Sequence, residues 1–321
     1  MAKDHYVSQV YLKQFHCNYG NNILHMVQKN NLNNGINIVS TKNVCYLIDG
    51  NRSSFLSNDM ALEDFLKNLE PKLAFIFSNL LLRRTLSEED FISLSYFIAY
   101  LYLVNPISRA RAEQFHREML KMTIKGEPEL KNLTLPWYEM SLVDCIEKGI
   151  INIDIEKEYS LAVNCDCINN LSERLLTNSI WTFLYNQSKD EFFITSDNPV
   201  INKHYDSGFR AKFILTITPR VALLIDVYKS KFIDVDKKDY LKAKYKFENV
   251  NKSQVKRINR DIVKHAYMQV FFSNNNQKSI LNLVRDNQNY NLKLVINNLG
   301  PFVFFENKLV KNELENNCNN I

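Results

Sequence analysis

The stretch Phe192–Val200 reads Phe-Phe-Ile-Thr-Ser-Asp-Asn-Pro-Val, and it joins a strong strand signal to an abrupt polar stop. Its first four residues are aromatic or β-branched, which is typical of a buried strand. The turn formers of Ser196–Pro199 then end that strand. Because folds often display site residues where a strand ends, the stretch predicts a core strand and a candidate site together.

The hydrophobic period changes along the chain on either side of residue 177. Residues 58–124 carry apolar side chains at spacings of three and four, which predicts long helices. Beyond residue 177 the period of two predicts three hairpins, 181–185 with 192–195, 213–218 with 221–227, and 292–296 with 302–305. We therefore expect an α+β fold, with a helical N-terminal half packed on a mostly antiparallel sheet in the C-terminal half.

Several local patterns complete the predicted fold. Residues 23–28 and 36–39 favour a strand hairpin, and Ser87 with Asp90 favours a capping box at a helix start. A helix is predicted over Ser253–Phe272 and an edge strand over 151–155. We expect a single domain over residues 1–311, followed by a polar, frayed tail over residues 312–321.

Composition sets limits on function. The 321 residues are 45% hydrophobic, which is enough for a sizeable core, and the net charge of +5 permits a polyanionic partner without demanding one. No apolar run reaches the roughly 18 residues of a membrane span, and the N-terminus lacks a signal-peptide core. We therefore expect a cytoplasmic protein with reduced cysteines and no membrane partner.

The first group of candidate site residues is His5, Gln9 and Lys13. If the first helix extends back to His5, the spacing of four places all three on one face. A histidine there is a candidate general base or metal ligand, and the amide and the amine are candidates for holding a polar substrate. The alternative is an ordinary helix with its polar face in water.

The second group is the polar end of the core strand. Asp197 is a candidate base or metal ligand, and Ser196 is a candidate nucleophile if a base lies beside it. The alternative is a turn in which Ser196, Asp197 and Asn198 satisfy their own backbone before Pro199.

The third group is the arginines of the helix near residue 110. Arg109 and Arg111 are candidates for contact with phosphate, and the alternative is a solvated helical face. No glycine-rich phosphate loop or standard zinc pattern is present. The sequence identifies no cofactor, and a divalent metal remains one candidate.

Two stretches resemble a known family. Residues 5–15 read His-Tyr-Val-Ser-Gln-Val-Tyr-Leu-Lys-Gln-Phe and are similar to the opening His-Tyr-Val-Pro-Gln-x-Tyr-Leu-x-x-Phe of a bacterial family, domain of unknown function 4238. Residues 193–200, preceded by Trp181, resemble its second hallmark, and 217–220 and 258–260 resemble weaker motifs. The resemblance covers about residues 5–272. Ser8 departs from it, because a proline there would fit a first helical turn and place His5 outside the helix.

The resemblance implies a role in prokaryotic antiviral defence, since some members of that family resemble single-gene defence proteins. Together with the basic charge, it favours an effector acting on nucleic acid, most simply a nuclease. His5, Gln9 and Asp197 are then the candidate catalytic residues, and the candidate substrate-binding residues are Lys13, Arg109, Arg111, Ser196 and Asn198. The alternative is a non-catalytic sensor or adaptor that binds a phage component and triggers a response. The sequence leaves the oligomeric state open.

A geometric prediction follows from the packed N-terminus. A buried histidine needs a hydrogen-bond partner, and a carboxylate is the natural one. We therefore predict that His5, Gln9 and Asp197 converge on one pocket, and that pairing with Asp197 raises the pKa of His5.

Overall fold

The structure, a computed structural model, describes residues 2–312 apart from 18, 21, 178, 205–209, 229–243, 274 and 300–301. The helices in this part of the chain are α1 Gln9–Leu12, α2 Ala61–Leu81, α3 Glu88–Leu103, α4 Pro106–Gly126, α5 Pro128–Lys131, α6 Leu142–Glu147, α7 Lys157–Thr177, α8 Lys252–His265 and α9 Gln277–Asn287.

The strands in the described residues form five sheets. They are β1 Lys3–His5, β2 Ile23–Gln28, β3 Ile36–Ser40, β4 Tyr46–Ile48, β5 Thr134–Leu135, β6 Met140–Ser141, β7 Ser179–Asn186, β8 Thr195–Ser196, β9 Val200–His204, β10 Arg210–Thr218, β11 Val221–Tyr228, β12 Lys244–Val250, β13 Gln269–Phe272, β14 Tyr290–Leu299 and β15 Phe302–Lys311.

A five-stranded sheet in the order β12-β7-β11-β10-β9 forms the centre of the fold. Its strands are antiparallel neighbours except for β12, which runs parallel to β7. Because side chains alternate along a strand, Phe183 and Leu223 pack on one face with α2 and α3. Leu184, Ile214 and Ala222 pack on the opposite face with α8 and α9. The sheet therefore lies between two layers of helices.

The predicted division into a helical N-terminal half and a C-terminal sheet is wrong, although the protein is α+β. Helices α8 and α9 lie in the C-terminal half, and β1 to β4 lie in the N-terminal half. A four-stranded sheet in the order β3-β2-β13-β8 even joins strands from both halves. The physical reason is that the central sheet is apolar on both faces, so that it needs helices on both.

The helices of residues 61–126 confirm the periodicity argument. Helix α2 covers the predicted stretch, and α3 begins with the predicted capping box, in which Ser87 and Asp90 exchange backbone-to-side-chain hydrogen bonds of 2.9 and 3.2 Å. Asn105 caps α4, and Pro106 is its first residue. The hairpins β2-β3, β10-β11 and β14-β15 are confirmed as well.

Two predicted strand assignments are wrong. The stretch 192–195 does not pair with 181–185, because the Phe193 N–H donates to the Pro219 carbonyl and Thr195 pairs with β13 in the other sheet. The edge strand predicted over 151–155 does not form, and Asp154 instead pairs with Arg117 at 3.5 Å.

Helix α8 ends at His265, although the prediction continued it to Phe272. A continuing helix would donate the N–H groups of residues 267–269 to carbonyls four residues back. The carboxylate of Asp197 accepts all three of these N–H groups instead. The chain therefore leaves the helix and enters β13 because of a contact from distant sequence.

The predicted tail lies outside the described residues from 313 onward, and the single-domain expectation stays a prediction. No single helix in the described ranges is long and apolar enough to cross a membrane, while α3 and α4 pass that test only as a pair bent by 64°.

Candidate functional site

The two motifs of the resemblance meet in the core. The Tyr11 hydroxyl lies 2.6 Å from Thr195 Oγ1 and donates to the Thr216 carbonyl at 2.7 Å. All three residues are fully buried. The N-terminal segment and the end of the core strand are therefore neighbours in the structure.

His5 lies beside β4 with its ring half-buried. Its backbone pairs with Tyr46, and the two rings are 5.9 Å apart. Burial lowers the pKa of the imidazole, and the backbones of Lys42 and Thr41 offset part of this effect. The predicted rise in the pKa of His5 is therefore wrong. The buried Nε2 has no hydrogen-bond partner in the described part of the chain.

Gln9 lies against the same segment as His5. Its Oε1 accepts a long hydrogen bond of 3.5 Å from Thr41 Oγ1, and Thr41 also adjoins the His5 ring. Lys13 follows α1 and is exposed. The structure therefore brings His5 and Gln9 to one segment and leaves Lys13 in solvent.

Asp197 is almost fully buried and binds backbone. Its carboxylate accepts the N–H groups of Tyr267, Met268 and Gln269 at 2.9, 2.7 and 2.9 Å. Burial raises the pKa of this carboxyl to about 6, and the three N–H donors and the Lys29 ammonium offset part of the rise. Its described hydrogen bonds include neither His5 nor Gln9, so the convergence of the three on one pocket stays a prediction.

The N-terminal motif approaches Asp197 through the residue after His5. Burial raises the pKa of the Tyr6 hydroxyl most, and the nearby Cys45 thiol and Asp197 carboxylate raise it further. The Tyr6 hydroxyl therefore lies close enough to the Asp197 carboxylate for the two groups to interact electrostatically.

Ser196 and Asn198 are buried and make turn contacts. Ser196 Oγ donates to the Asn198 carbonyl at 3.0 Å and accepts from the Asn198 N–H at 3.2 Å. The Asn198 side-chain amide donates to the His265 carbonyl at 2.9 Å, at the end of α8. Both residues therefore shape the backbone around Asp197, as the alternative interpretation of this stretch describes.

Arg109 uses its guanidinium to hold a neighbouring loop. It donates to the Val104 carbonyl at 2.6 Å, to Asn51 Oδ1 at 2.9 Å and to the Gly50 carbonyl. It also lines a cavity of about 470 Å³ in which three basic residues face three acidic ones. This cavity is formally neutral, and Arg109 is already engaged within the protein.

Arg111 lies in a second cavity with a different charge balance. This space of about 340 Å³, called the Arg111 cavity below, lies between α4, the turn after α8 and β14. Its charged lining residues are Arg111 and Lys293, both basic. Neither forms an ion pair with any carboxylate in the described ranges. The cavity is lined by Pro106, Ile107, Ala110, Arg111, Gln114, Ala266, Tyr267, Asn291, Leu292, Lys293 and Leu294.

The Arg111 guanidinium is anchored on its own helix. Nη2 donates to Ser108 Oγ at 2.8 Å, and Nε donates to the Ile107 carbonyl at 3.3 Å. Its neighbour across the cavity is Tyr267, whose side chain is 45% exposed. A fixed cation and an accessible aromatic ring therefore share one concave space.

Three residues of this region were missed from the sequence, namely Lys29, Tyr267 and Lys293. Lys29 is fully buried, and its ammonium donates to the carbonyls of Lys264, Ala266 and Tyr290 at 3.1, 2.8 and 2.6 Å. Burial lowers the pKa of this ammonium to about 8. The one signal in the sequence was that Lys29 directly follows a buried strand.

Metal-ligand geometry does not occur among the residues that the structure describes. In those residues, no three His, Cys, Asp or Glu side chains come together in a way that could hold a metal ion.

The fold and its buried contacts define an α+β protein in which two separate sequence motifs meet in the core. Asp197 of the second motif binds the turn after α8, which lines a basic cavity. The chain belongs to a family described as proteins of unknown function, DUF4238, whose model matches residues 3–276. Both motifs and this turn lie within the match. No curated protein and no solved structure matches the chain.

Proposed function

We propose that this protein is a cytoplasmic, non-catalytic sensor in prokaryotic antiviral defence, and that it binds nucleic acid in the Arg111 cavity. The observation that carries the proposal is the composition of that cavity, in which two basic residues and an exposed aromatic ring face the same space. The link to defence is supported by the family resemblance of the two motifs.

Charge is the first support. Arg111 and Lys293 come from opposite walls of the cavity, and none of the described residues that line it is acidic. Neither cation pairs with a carboxylate among the described residues. A guanidinium has five N–H donors, so Arg111 can contact phosphate in addition to Ile107 and Ser108. The cavity therefore favours an anionic ligand.

The aromatic ring is the second support. Tyr267 projects from the turn between α8 and β13 and is 45% exposed. Nucleobases stack on such rings regardless of sequence, since every base has a π-face. A tyrosine beside two phosphate-binding cations therefore favours a nucleic acid over a simple anion.

The size of the cavity restricts the form of the nucleic acid. About 340 Å³ lies at the lower end of the range of small-ligand sites, roughly 300–1,000 Å³. A base inside a duplex is paired and stacked, so it cannot enter a cavity unless it leaves the stack. We therefore propose that the ligand is single-stranded and that one nucleotide occupies the cavity.

The hydrogen bonds and the burial of Asp197 support a non-catalytic function. A carboxylate that accepts three backbone N–H groups has most of its lone pairs engaged within the protein. It is also almost fully buried, with 2% of its surface exposed. Its surroundings suit the support of a turn better than contact with substrate.

A nuclease is the second candidate, and one observation favours it. His5 keeps a buried ring nitrogen without a described partner, and its lowered pKa leaves the imidazole neutral near pH 7. A neutral imidazole is the form that a general base requires. In this version His5, with Gln9 beside it, acts on the bound strand.

One experiment separates these functions. Purified protein is incubated with labelled single-stranded and double-stranded RNA and DNA, with and without Mg²⁺, and both binding and strand length are measured. The sensor predicts binding of single strands that stay intact. Cleavage that disappears in His5→Ala would establish the nuclease instead, and absence of binding to any strand would contradict both.

A phage-protection assay tests the biological role. Cells that express the wild-type protein are expected to survive infection, and cells that express Arg111→Met are expected not to. Equal protection by both proteins would contradict the role of the cavity in defence.

A further inference from the structure

Two buried charged residues hold the turn that displays Tyr267. This turn comprises residues 264–269 and is called the Tyr267 turn below. Three of its N–H groups donate to the Asp197 carboxylate. Lys29 binds its carbonyl side, donating to the carbonyls of Lys264 and Ala266 at 3.1 and 2.8 Å. The Asp197 carboxylate therefore binds the N–H groups of this turn, and the Lys29 ammonium binds its carbonyl groups.

Lys29 also reaches the opposite wall of the Arg111 cavity. Its ammonium donates to the carbonyl of Tyr290 at 2.6 Å, and Tyr290 is the first residue of β14. Lys293, which lines the cavity, follows three residues later on this strand. A single ammonium thus connects the wall that carries Tyr267 to the wall that carries Lys293.

Backbone contacts reinforce the same arrangement. The Lys29 N–H donates to the Met268 carbonyl at 2.7 Å, and the Asp197 N–H donates to the Gln269 carbonyl at 3.1 Å. The side chains of Tyr267 and Met268 remain 45% exposed each. The turn is fixed through its backbone, while the side chains of Tyr267 and Met268 are exposed.

The burial of these charges needs an explanation. Removing an ammonium and a carboxylate from water is costly unless hydrogen bonds satisfy them. Here three carbonyls satisfy Lys29, and three amides satisfy Asp197. An apolar core would fill this space without that cost, but it would not fix two irregular segments of backbone relative to each other.

We infer that Asp197 and Lys29 are positioning residues for the Arg111 cavity, which set the distance and orientation of Tyr267 relative to β14. The role in ligand binding rests on the proposed function, whereas the clamp on the backbone does not. Asp197 thus acts through the Tyr267 turn and touches no ligand. Loss of either charge releases the turn without removing Arg111, Lys293 or the Tyr267 ring.

Amide hydrogen exchange on the full chain tests the clamp directly. In Lys29→Met, the amides of residues 266–269 and 290–294 are expected to exchange at least about tenfold faster than in the wild type at pH 7, while the helices α2 and α3 keep their protection. Lys203→Met is the matched control, because Lys203 pairs with Asp261 on α8 and does not line the cavity. Unchanged exchange in the Tyr267 turn would overturn the inference.

Asp197→Asn provides a second, milder variant, because it keeps the size of the side chain and one of its oxygens. Faster exchange confined to Tyr267–Gln269 is expected, and unchanged exchange there would again overturn the inference. If neither variant folds while Lys203→Met does, the pair serves the whole fold rather than the turn, and the inference is wrong.

Binding of an abasic strand separates positioning from general stability. The wild type is expected to bind a normal single strand at least about fivefold more tightly than an abasic strand, since only a base stacks on Tyr267. In Lys29→Met this preference is expected to disappear while the salt dependence from phosphate contacts remains. If the preference persists in Lys29→Met, the positioning role is wrong.

A different result would show that the proposed function fails while the inference about Lys29 and Asp197 holds. If the wild type binds neither strand but Lys29→Met still accelerates exchange in the Tyr267 turn, the nucleic-acid proposal fails and the clamp stands.

Discussion

The Tyr11 hydroxyl lies 2.6 Å from Thr195 Oγ1, although 184 positions separate the two residues. A tyrosine hydroxyl has one proton, which it donates to the Thr216 carbonyl at 2.7 Å, so that Thr195 is the donor in the first contact. This buried network connects the N-terminal segment to β8 and β10. In this chain the two stretches therefore depend on each other for a buried hydrogen bond.

Removal of the Tyr11 hydroxyl tests this network. Tyr11→Phe leaves Thr195 Oγ1 and the Thr216 carbonyl without this partner in a buried position, so the free energy of unfolding is expected to fall by about 1–3 kcal/mol. Urea denaturation measures the change. Tyr138→Phe, on an exposed ring, is expected to change it by less than about 0.5 kcal/mol. Equal effects of the two variants would show that the buried network does not stabilise the fold.

Lys29 predicts a pH dependence of stability. Burial lowers the pKa of its ammonium to about 8 in the folded protein, from an ordinary value of 10.5. Between these values the unfolded chain binds the additional proton, so the contribution of Lys29 to stability increases with pH above 8 and is lost as pH falls through 8.

The comparison is made by urea denaturation of the wild type and Lys29→Met at pH 7.5, 8.5 and 9.5. Above pH 8, the unfolding free energy of the wild type is expected to rise relative to that of Lys29→Met. The rise is at most about 1.4 kcal/mol per pH unit. Asp197 and His265 also face Lys29, but their pKa values of about 6 and 4 lie below this window. A difference that stays constant with pH would contradict the account.

Tyr267 is expected to supply the stacking surface for a base. Tyr267→Ala should weaken binding of a single-stranded oligonucleotide by about 1–3 kcal/mol, measured by fluorescence anisotropy. Tyr138→Ala is a matched control, because Tyr138 is 46% exposed and does not line the cavity. Comparable losses in both variants would assign the effect to general surface properties rather than to stacking.

Lys293 is expected to contact phosphate and not the base. In Lys293→Met, the slope of log K against log salt concentration should become less steep by about 0.7, which corresponds to one phosphate contact on a single strand. The preference of the protein for a normal over an abasic strand should be unchanged. A slope identical to that of the wild type would show that Lys293 does not contact phosphate.

The local elements were predictable wherever one pattern decided them. Helix α2 follows from its single apolar face, and α3 follows from the capping box of Ser87 and Asp90. The sequence did not predict that helices cover both faces of the central sheet. A strand that is apolar on both sides does not indicate which helices pack on each face. Likewise the end of α8 depends on Asp197, which lies 68 positions before His265, the last residue of the helix.

The candidate site was predictable only in part. The turn interpretation of Ser196 and Asn198 agrees with their hydrogen bonds. The role of Arg111 in binding phosphate stays a prediction. Lys29 was not recognised, since a lysine before two asparagines resembles a solvated loop. Its role depends on three carbonyls that come from distant parts of the chain.

The most direct test of the central claim is the affinity of Arg111→Met for a labelled single-stranded oligonucleotide, measured by fluorescence anisotropy at constant salt. Arg84→Met is the control, because Arg84 is exposed between α2 and α3 and does not line the cavity. We expect Kd to rise at least about tenfold in Arg111→Met, as the loss of a charge-assisted contact requires, and to stay within about twofold in Arg84→Met. Equal affinities of the wild type and Arg111→Met would contradict the claim that nucleic acid binds in the Arg111 cavity.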